Sequence, residues 1–289
     1  MRMQVLYARE PRWREIAERA EELIRGSDFR PIKSEGRTIG GVLKLADGGA
    51  VFVKKSASSS WLRGVMMPIA GSPAMRALRG AAMLEAAAVP HPRPLAASES
   101  VGRGSVRASY LVSEALLDGD TLSRFTLGPG EIKGRDARRR RRILDTVARE
   151  VRRFHDAGLY TRDLQETNVM VADKEDGGFR VWFLDLEDFR RVRRLGWPYR
   201  MRNLVHLDRS IGRFLCRAAR LAFFYAYLGR KPERAEARRL VAEYLAMRAR
   251  IDRSRAHRPR NSGSSHPGSN SARIRESKEI GDGDHHSQA

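Results

Sequence analysis

Residues 154–188, FHDAGLYTRDLQETNVMVADKEDGGFRVWFLDLED, constrain the fold more tightly than any other stretch. Two short apolar runs, Val169–Val171 and Val181–Leu184, have the length of buried strands, and the polar segment Asp173–Gly178 between them has turn chemistry. The spacing predicts a β-hairpin, which sets the start of its first strand beside the end of its second. Asn168, just before the first run, is therefore expected near Asp185, just after the second. Asp163 lies five residues before Asn168, across a loop too short to be anything but compact.

One amide and two carboxylates thus converge at one end of a buried hairpin. Such a set suits phosphoryl transfer, in which one carboxylate orients an attacking hydroxyl and other oxygen ligands hold Mg²⁺ on the phosphates. Asp and Asn are common turn residues, and each alone would read as a cap or a strand end. Their order and context together carry the inference.

The 289 residues, 41% hydrophobic, can bury a substantial core in one or two domains. No run reaches the roughly 18–20 apolar residues of a membrane span. The start of the chain lacks the apolar core and cleavage site of a signal peptide, so a cytoplasmic protein is the default expectation. The single cysteine, Cys216, excludes an intramolecular disulfide and a Cys-based zinc site, and its apolar neighbours predict a core position. Lys and Arg number 56 against 35 acidic residues, a net charge of +21. Such a surface attracts nucleic acid, anionic lipid headgroups or phosphorylated glycolipid without choosing among them.

Helical spacing of Trp13, Ile16, Ala20, Leu23 and Ile24 predicts an amphipathic helix over 11–25. Val42–Leu45 and Val51–Val53 then read as strands around the turn Asp47-Gly48-Gly49. Gly36 and Gly40-Gly41 fall where a loop would join a preceding strand, and glycine there would let backbone approach phosphates. The spacing is not a clean G-x-G-x-x-G, and a plain hairpin fits as well. Lys54 and Lys55 end the second strand on opposite faces. Residues 56–72 read as a loop carrying an apolar insert, Trp61–Ile69, and 73–88 as a helix opened by Pro73. His91–Pro94 is a rigid extended turn. Tyr110–Val112 reads as a strand and Leu122–Leu127 as a short helix.

After a break at Gly128–Gly134, five consecutive arginines, Arg138–Arg142, open an amphipathic helix through Ile143, Leu144, Val147, Val151 and Phe154. Positive charge in a first turn opposes the helix dipole. The run is either a solvated face or a patch for an anionic substrate or membrane. His155 reads as structural. Helices are expected over 203–229 and 233–251. From Asp252 onward, His285-His286 included, too little apolar surface remains to repay ordering, and a disordered tail is expected.

The segment Thr161-Arg162-Asp163-Leu164-Gln165-Glu166-Thr167-Asn168 with Leu184-Asp185-Leu186-Glu187 resembles the kinase catalytic loop and its following metal-binding Asp. With V-F-V-K at 51–54, GSPAMRALRGAAML at 71–84, VPHPRPLA at 89–96 and YLVSEAL at 110–116, the chain from about Val42 to Gly229 resembles the lipopolysaccharide kinase family. These bacterial enzymes phosphorylate heptose or Kdo sugars of the lipopolysaccharide inner core. The resemblance implies an α+β, two-lobed protein-kinase-like fold: a nucleotide-binding lobe over 1–113, a catalytic lobe over 114–251, and the tail over 252–289. It implies ATP and Mg²⁺ in the cleft, Asp163 as the catalytic carboxylate, and Asn168 and Asp185 on the metal. Lys54 would grip the phosphates. Glu114 would be the hinge carboxylate near the adenine, and Gly36 and Gly40 the glycines near the nucleotide.

Three departures stand out. Thr161 replaces the usual His of the loop. Glu187 stands where protein kinases place Gly. The helix carboxylate that pairs with the strand lysine is missing, because its position falls around Leu78–Gly80 and the only acidic residue of that helix is Glu85. The implied partner is a glycolipid or other sugar substrate, with an anionic membrane surface at the cytoplasmic face of the inner membrane as a second. No nucleic acid and a monomer are expected. The competing readings are a protein kinase, an antibiotic-type phosphotransferase, and a catalytically dead kinase-like module binding an anionic partner.

Overall fold

The structure is a computed structural model that describes residues 2–57, 71–102, 105–127 and 137–256. The insert Trp61–Ile69, the break at Gly128–Gly134 and the tail from 257 onward, with His285-His286, lie outside the described residues. Residues Met1–Ala249 form one compact unit; the other, Arg250–Ala289, is described only over the last turns of its helix.

The first part of the unit is a six-stranded antiparallel sheet in the order β1-β5-β6-β4-β3-β2. The strands are β1 (Arg2–Ala8), β2 (Phe29–Glu35), β3 (Thr38–Lys44), β4 (Ala50–Ala57), β5 (Pro94–Gly102) and β6 (Ser105–Glu114). Val51 and Val53 of β4 point to one face, where they pack with Leu43, Leu95 and Val112 against Trp13 and Ala17. Those two residues lie on α1 (Pro11–Glu18), which stops at Arg19 before a short α2 (Ala20–Leu23), so the single helix expected over 11–25 is two.

The strand alternation that buries Val51 and Val53 turns Phe52 and Lys54 to the other face. There α3 (Pro73–Ala86) packs through Ala74, Ala77, Ala81 and Leu84. Ser72 caps α3 by accepting a hydrogen bond from the Met75 amide at 3.2 Å. The same core continues through Ala97 and Leu111 of the sheet into the helical half.

That half is built on α5 (Ala137–Asp156), which follows β7 (Asp120–Thr121) and α4 (Leu122–Leu127). Ile143, Leu144, Val147, Ala148, Val151, Phe154 and His155 form its buried stripe. Against it lie β8 (Leu159–Thr161), the hairpin of β9 (Val169–Asp173) and β10 (Phe179–Phe183), and β11 (Phe189–Arg191). β9 is central in a three-stranded sheet, and β8 pairs with β11. α6 (Trp197–Ile211), α7 (Arg217–Leu228) and α8 (Arg234–Ala256) complete the chain.

Several expectations need correction. Gly40 and Gly41 sit inside β3, not in a loop, paired to β2 and β4; only glycine fits there, since a Cβ on Gly41 would lie 2.4 Å from the Arg30 carbonyl oxygen and one on Gly40 2.9 Å from the Phe52 ring. Cys216 is exposed, at the N-cap of α7, where a helix's open end faces solvent. α8 runs past Asp252 to Ala256. The arginine run is partly tied down: Arg139 bonds Asp173 at 2.7 and 2.9 Å and lies 4.6 Å over the Phe125 ring, and Arg142 donates to the Gly177 carbonyl at 2.6 Å. These contacts to the hairpin offset the unfavourable placement of charge in a helix's first turn.

Candidate active site

The loop Thr161–Asn168 is held at both ends. α5 ends at Asp156, and Gly158, at φ 75°, turns the chain into β8. Thr161 pairs with Phe189 of β11, and Leu164 is buried. A single 3₁₀ turn, Glu166–Asn168, then delivers the chain to β9, and the Glu166 amide donates to the Ser210 hydroxyl at 3.2 Å. Short segments between fixed anchors leave Asp163 little freedom.

The Asp163 carboxylate accepts hydrogen bonds from the Asn168 amide at 3.2 Å and from Gln165. Asn168 Nδ2 also donates to the Asp163 carbonyl at 3.2 Å. Asn168's nitrogen thus serves the loop, and its Oδ1 is the end chemically suited to a cation. The hairpin brings in Asp185 as expected: Val169 pairs with Phe183, and the Leu184 amide donates to the Asn168 carbonyl at 3.0 Å. Asp185 is the next residue.

Lys54 reaches this corner from β4. Its Nζ lies 3.3 Å from Asp185 Oδ1 and 2.6 Å from Glu187 Oε1. Burial alone would lower the lysine's pKa, but Asp185 and Glu187 outweigh it and hold the ammonium above its ordinary value. Lys55, on the other face, bonds Glu21 at 2.7 Å. Asp188 completes the acidic turn, its pKa raised by burial and by the nearby charges of Asp185 and Glu187.

The remaining sequence candidates have partners other than Asp163, Asn168 and Asp185. Glu114 ends β6, at Val51 in register, and its carboxylate accepts from Arg93 Nε at 2.6 Å. Gly40 is the cross-strand neighbour of Lys54, while Gly36, at φ 55°, forms the β2–β3 turn.

Sequence reasoning missed two groups. One is Glu187. The other is the brace that replaces the loop histidine. Asn203 of α6 donates to the Thr161 carbonyl at 2.6 Å, and its Oδ1 lies 3.1 Å from His155 Nε2. His155 Nδ1 lies 2.9 Å from the Tyr227 hydroxyl. With Nε2 protonated toward Asn203 and Nδ1 accepting from Tyr227, every group is satisfied by a neutral ring. Burial pushes the His155 pKa down to about 4, which keeps it neutral. The available signal was an asparagine, Asn203, on the apolar face of a helix beside Leu204 and Leu207.

The donor set fits a hard divalent cation only in part. Among the described residues no three His, Cys, Asp or Glu side chains form a metal-binding cluster. Asn168 and Asp185 supply one amide and one carboxylate, which suits a cation that takes its other ligands from phosphates and water.

A lysine from an antiparallel sheet, a D-x₄-N loop and an Asp after a hairpin define a protein-kinase-like phosphotransferase fold. A solved structure described as WaaP in complex with acyl carrier protein shares it, with a TM-score of 0.61, 20% identity, and coverage of 88% of this chain and 99% of that one. The model of the Lipopolysaccharide kinase (Kdo/WaaP) family matches residues 47–227, and the chain belongs to that family. No curated protein matches the sequence.

Proposed function

We propose that the chain transfers the γ-phosphoryl group of ATP to a sugar hydroxyl of the lipopolysaccharide core or a similar glycolipid. The observation that carries this reading is the convergence of Lys54, Asp163, Asn168 and Asp185 at one corner, within a family of lipopolysaccharide kinases. Asp163 orients the acceptor hydroxyl and takes its proton, with Asn168 and Gln165 fixing the carboxylate. Asn168 and Asp185 would hold Mg²⁺, which neutralises charge on the phosphates. Lys54 grips the phosphates. Glu114 would be the carboxylate near the adenine and Gly40 a glycine near the nucleotide, with Gly36 in the β2–β3 turn.

Among the described residues no helix is long and apolar enough to cross a membrane. A peripheral position at the cytoplasmic face of the inner membrane fits a glycolipid acceptor and the basic surface. The test is mass spectrometry of core glycolipid from a strain lacking the protein. The expected result is the loss of one phosphate from the core, restored by the wild-type chain and not by Asp163→Asn. An unchanged phosphate content overturns the proposal.

A further inference from the structure

Lys54 needs a fixed anion beside it if it is to meet phosphates in one orientation. In the fold to which this chain belongs a glutamate on the helix beside the sheet pairs with that lysine. α3 occupies that place and carries none there: its only acidic residue, Glu85, is exposed. The packing gives the reason. A Cβ on Gly80 would stand 1.9 Å from the Leu186 carbonyl oxygen and 2.8 Å from its carbon. α3 lies backbone to backbone on the turn that follows Asp185, and no side chain fits between them at Gly80.

Glu187 projects from that same turn. One of its carboxylate oxygens lies 2.6 Å from Lys54 Nζ, and the other accepts from Arg76 of α3 at 3.0 Å. A second Arg76 nitrogen donates to the Gly71 carbonyl at 2.9 Å, tying in the residues that lead into α3. The Glu187 carbonyl accepts from Arg190 at 2.8 Å, which steadies the turn. We infer that Glu187 is the positioning residue for Lys54, in place of a carboxylate on α3, and that Arg76 and Gly80 lock α3 to it. This inference rests on the phosphotransferase reading above.

The arrangement has a regulatory consequence. Where the carboxylate rides on a mobile helix, swinging that helix makes and breaks the pair. Here the carboxylate and Asp185 sit two residues apart on one turn, and α3 is held down by contact with backbone. The site is assembled without a helix movement. When nucleotide enters, Lys54 exchanges Asp185 for phosphate oxygen and keeps Glu187.

The experiment compares the wild-type chain with Glu187→Gln and Arg76→Gln. Two readouts are taken: steady-state kinetics in Mg–ATP with purified core glycolipid, and the pH-dependent rate of Lys54 acylation by acetic anhydride, followed by mass spectrometry. Loss of a charge-assisted hydrogen bond to the lysine is expected to lower kcat/KM for ATP by roughly tenfold or more in Glu187→Gln. The KM for glycolipid should stay near the wild-type value, a split that a merely structural lesion would not give. Lys54 should acylate faster in Glu187→Gln, because an anion that holds its proton is gone. Arg76→Gln should show both effects in weaker form and with a melting temperature within a few degrees of wild type. Wild-type acylation and wild-type ATP kinetics in Glu187→Gln would overturn the inference. Faster acylation in a chain that transfers no phosphate even as wild type would uphold the Lys54–Glu187 pair and overturn the proposed function instead.

Discussion

Two polar networks meet at the active corner, and they are built on opposite principles. The brace behind Asp163 is neutral and buried: His155, Thr161 and Asn203 are all buried, and Tyr227 closes the chain of hydrogen bonds. The network around Lys54 is charged and partly open, with Lys54, Asp185, Glu187 and Arg76 each between 18 and 29% exposed. A buried neutral network has high stakes, because any partner left unsatisfied costs its full desolvation. A partly open ionic network is worth less to stability but can exchange partners with a ligand. Asp163 is thus mounted on scaffold, and Lys54 sits on a contact that a ligand could exchange.

The sharpest way to break this contrast is Asn203→Leu. It keeps the volume but leaves the Thr161 carbonyl and His155 Nε2 unsatisfied inside the protein. The expected loss is about 3 kcal/mol of stability in urea unfolding. Turnover should fall on the order of tenfold or more as the loop loosens. A variant as stable and active as wild type would mean that the brace does not hold the loop.

The next effect is on pH dependence. The folded-state pKa of His155 is depressed to about 4, so the unfolded chain binds the extra proton first as pH falls. Stability is full above the ordinary histidine pKa of about 6.5 and drains as pH drops toward about 4. By about pH 5 the linkage amounts to roughly 2 kcal/mol. His155→Gln should flatten the urea-midpoint profile over that window; a profile unchanged from wild type would place the pH sensitivity elsewhere.

The smallest effect is expected in the ionic network. Arg76→Gln should change stability by under about 1 kcal/mol, with the difference shrinking as salt is added. A loss as large as that of Asn203→Leu would erase the contrast between the two networks.

The parts of the fold legible in sequence were those whose signals are local. The hairpin of β9 and β10 announces itself through two apolar runs and a Gly-Gly turn, and Asp163, Asn168 and Asp185 follow from its geometry. β5 did not, because its buried stretch reads Ser98-Glu99-Ser100. Of these, Ser98 is accommodated by donating to the Ala17 carbonyl at 2.7 Å, a contact that sequence does not reveal. β1, an edge strand, was missed, and β2, the other edge and mostly exposed, was expected only as an undelimited strand before the glycines. Gly40 and Gly41 read as a loop, since only the neighbouring Phe29 and Phe52 rings show why a strand would want them. Glu187 stood out only as a departure from the family pattern, with no sign of its role. Its partners, Lys54 and Arg76, lie far away in sequence and meet it only through the packing of Gly80 on Leu186.

On the proposed mechanism, Asp163 activates an acceptor hydroxyl while other residues hold the nucleotide. The direct measurement uses purified wild-type chain, Asp163→Asn and Asp185→Asn. Each is assayed for ATP binding with and without Mg²⁺ and for transfer of labelled γ-phosphate to core glycolipid. Asp163→Asn should lose roughly 10²–10⁴-fold in transfer and bind Mg–ATP as wild type does. Asp185→Asn should lose both. Near-wild-type transfer by Asp163→Asn would contradict the claim.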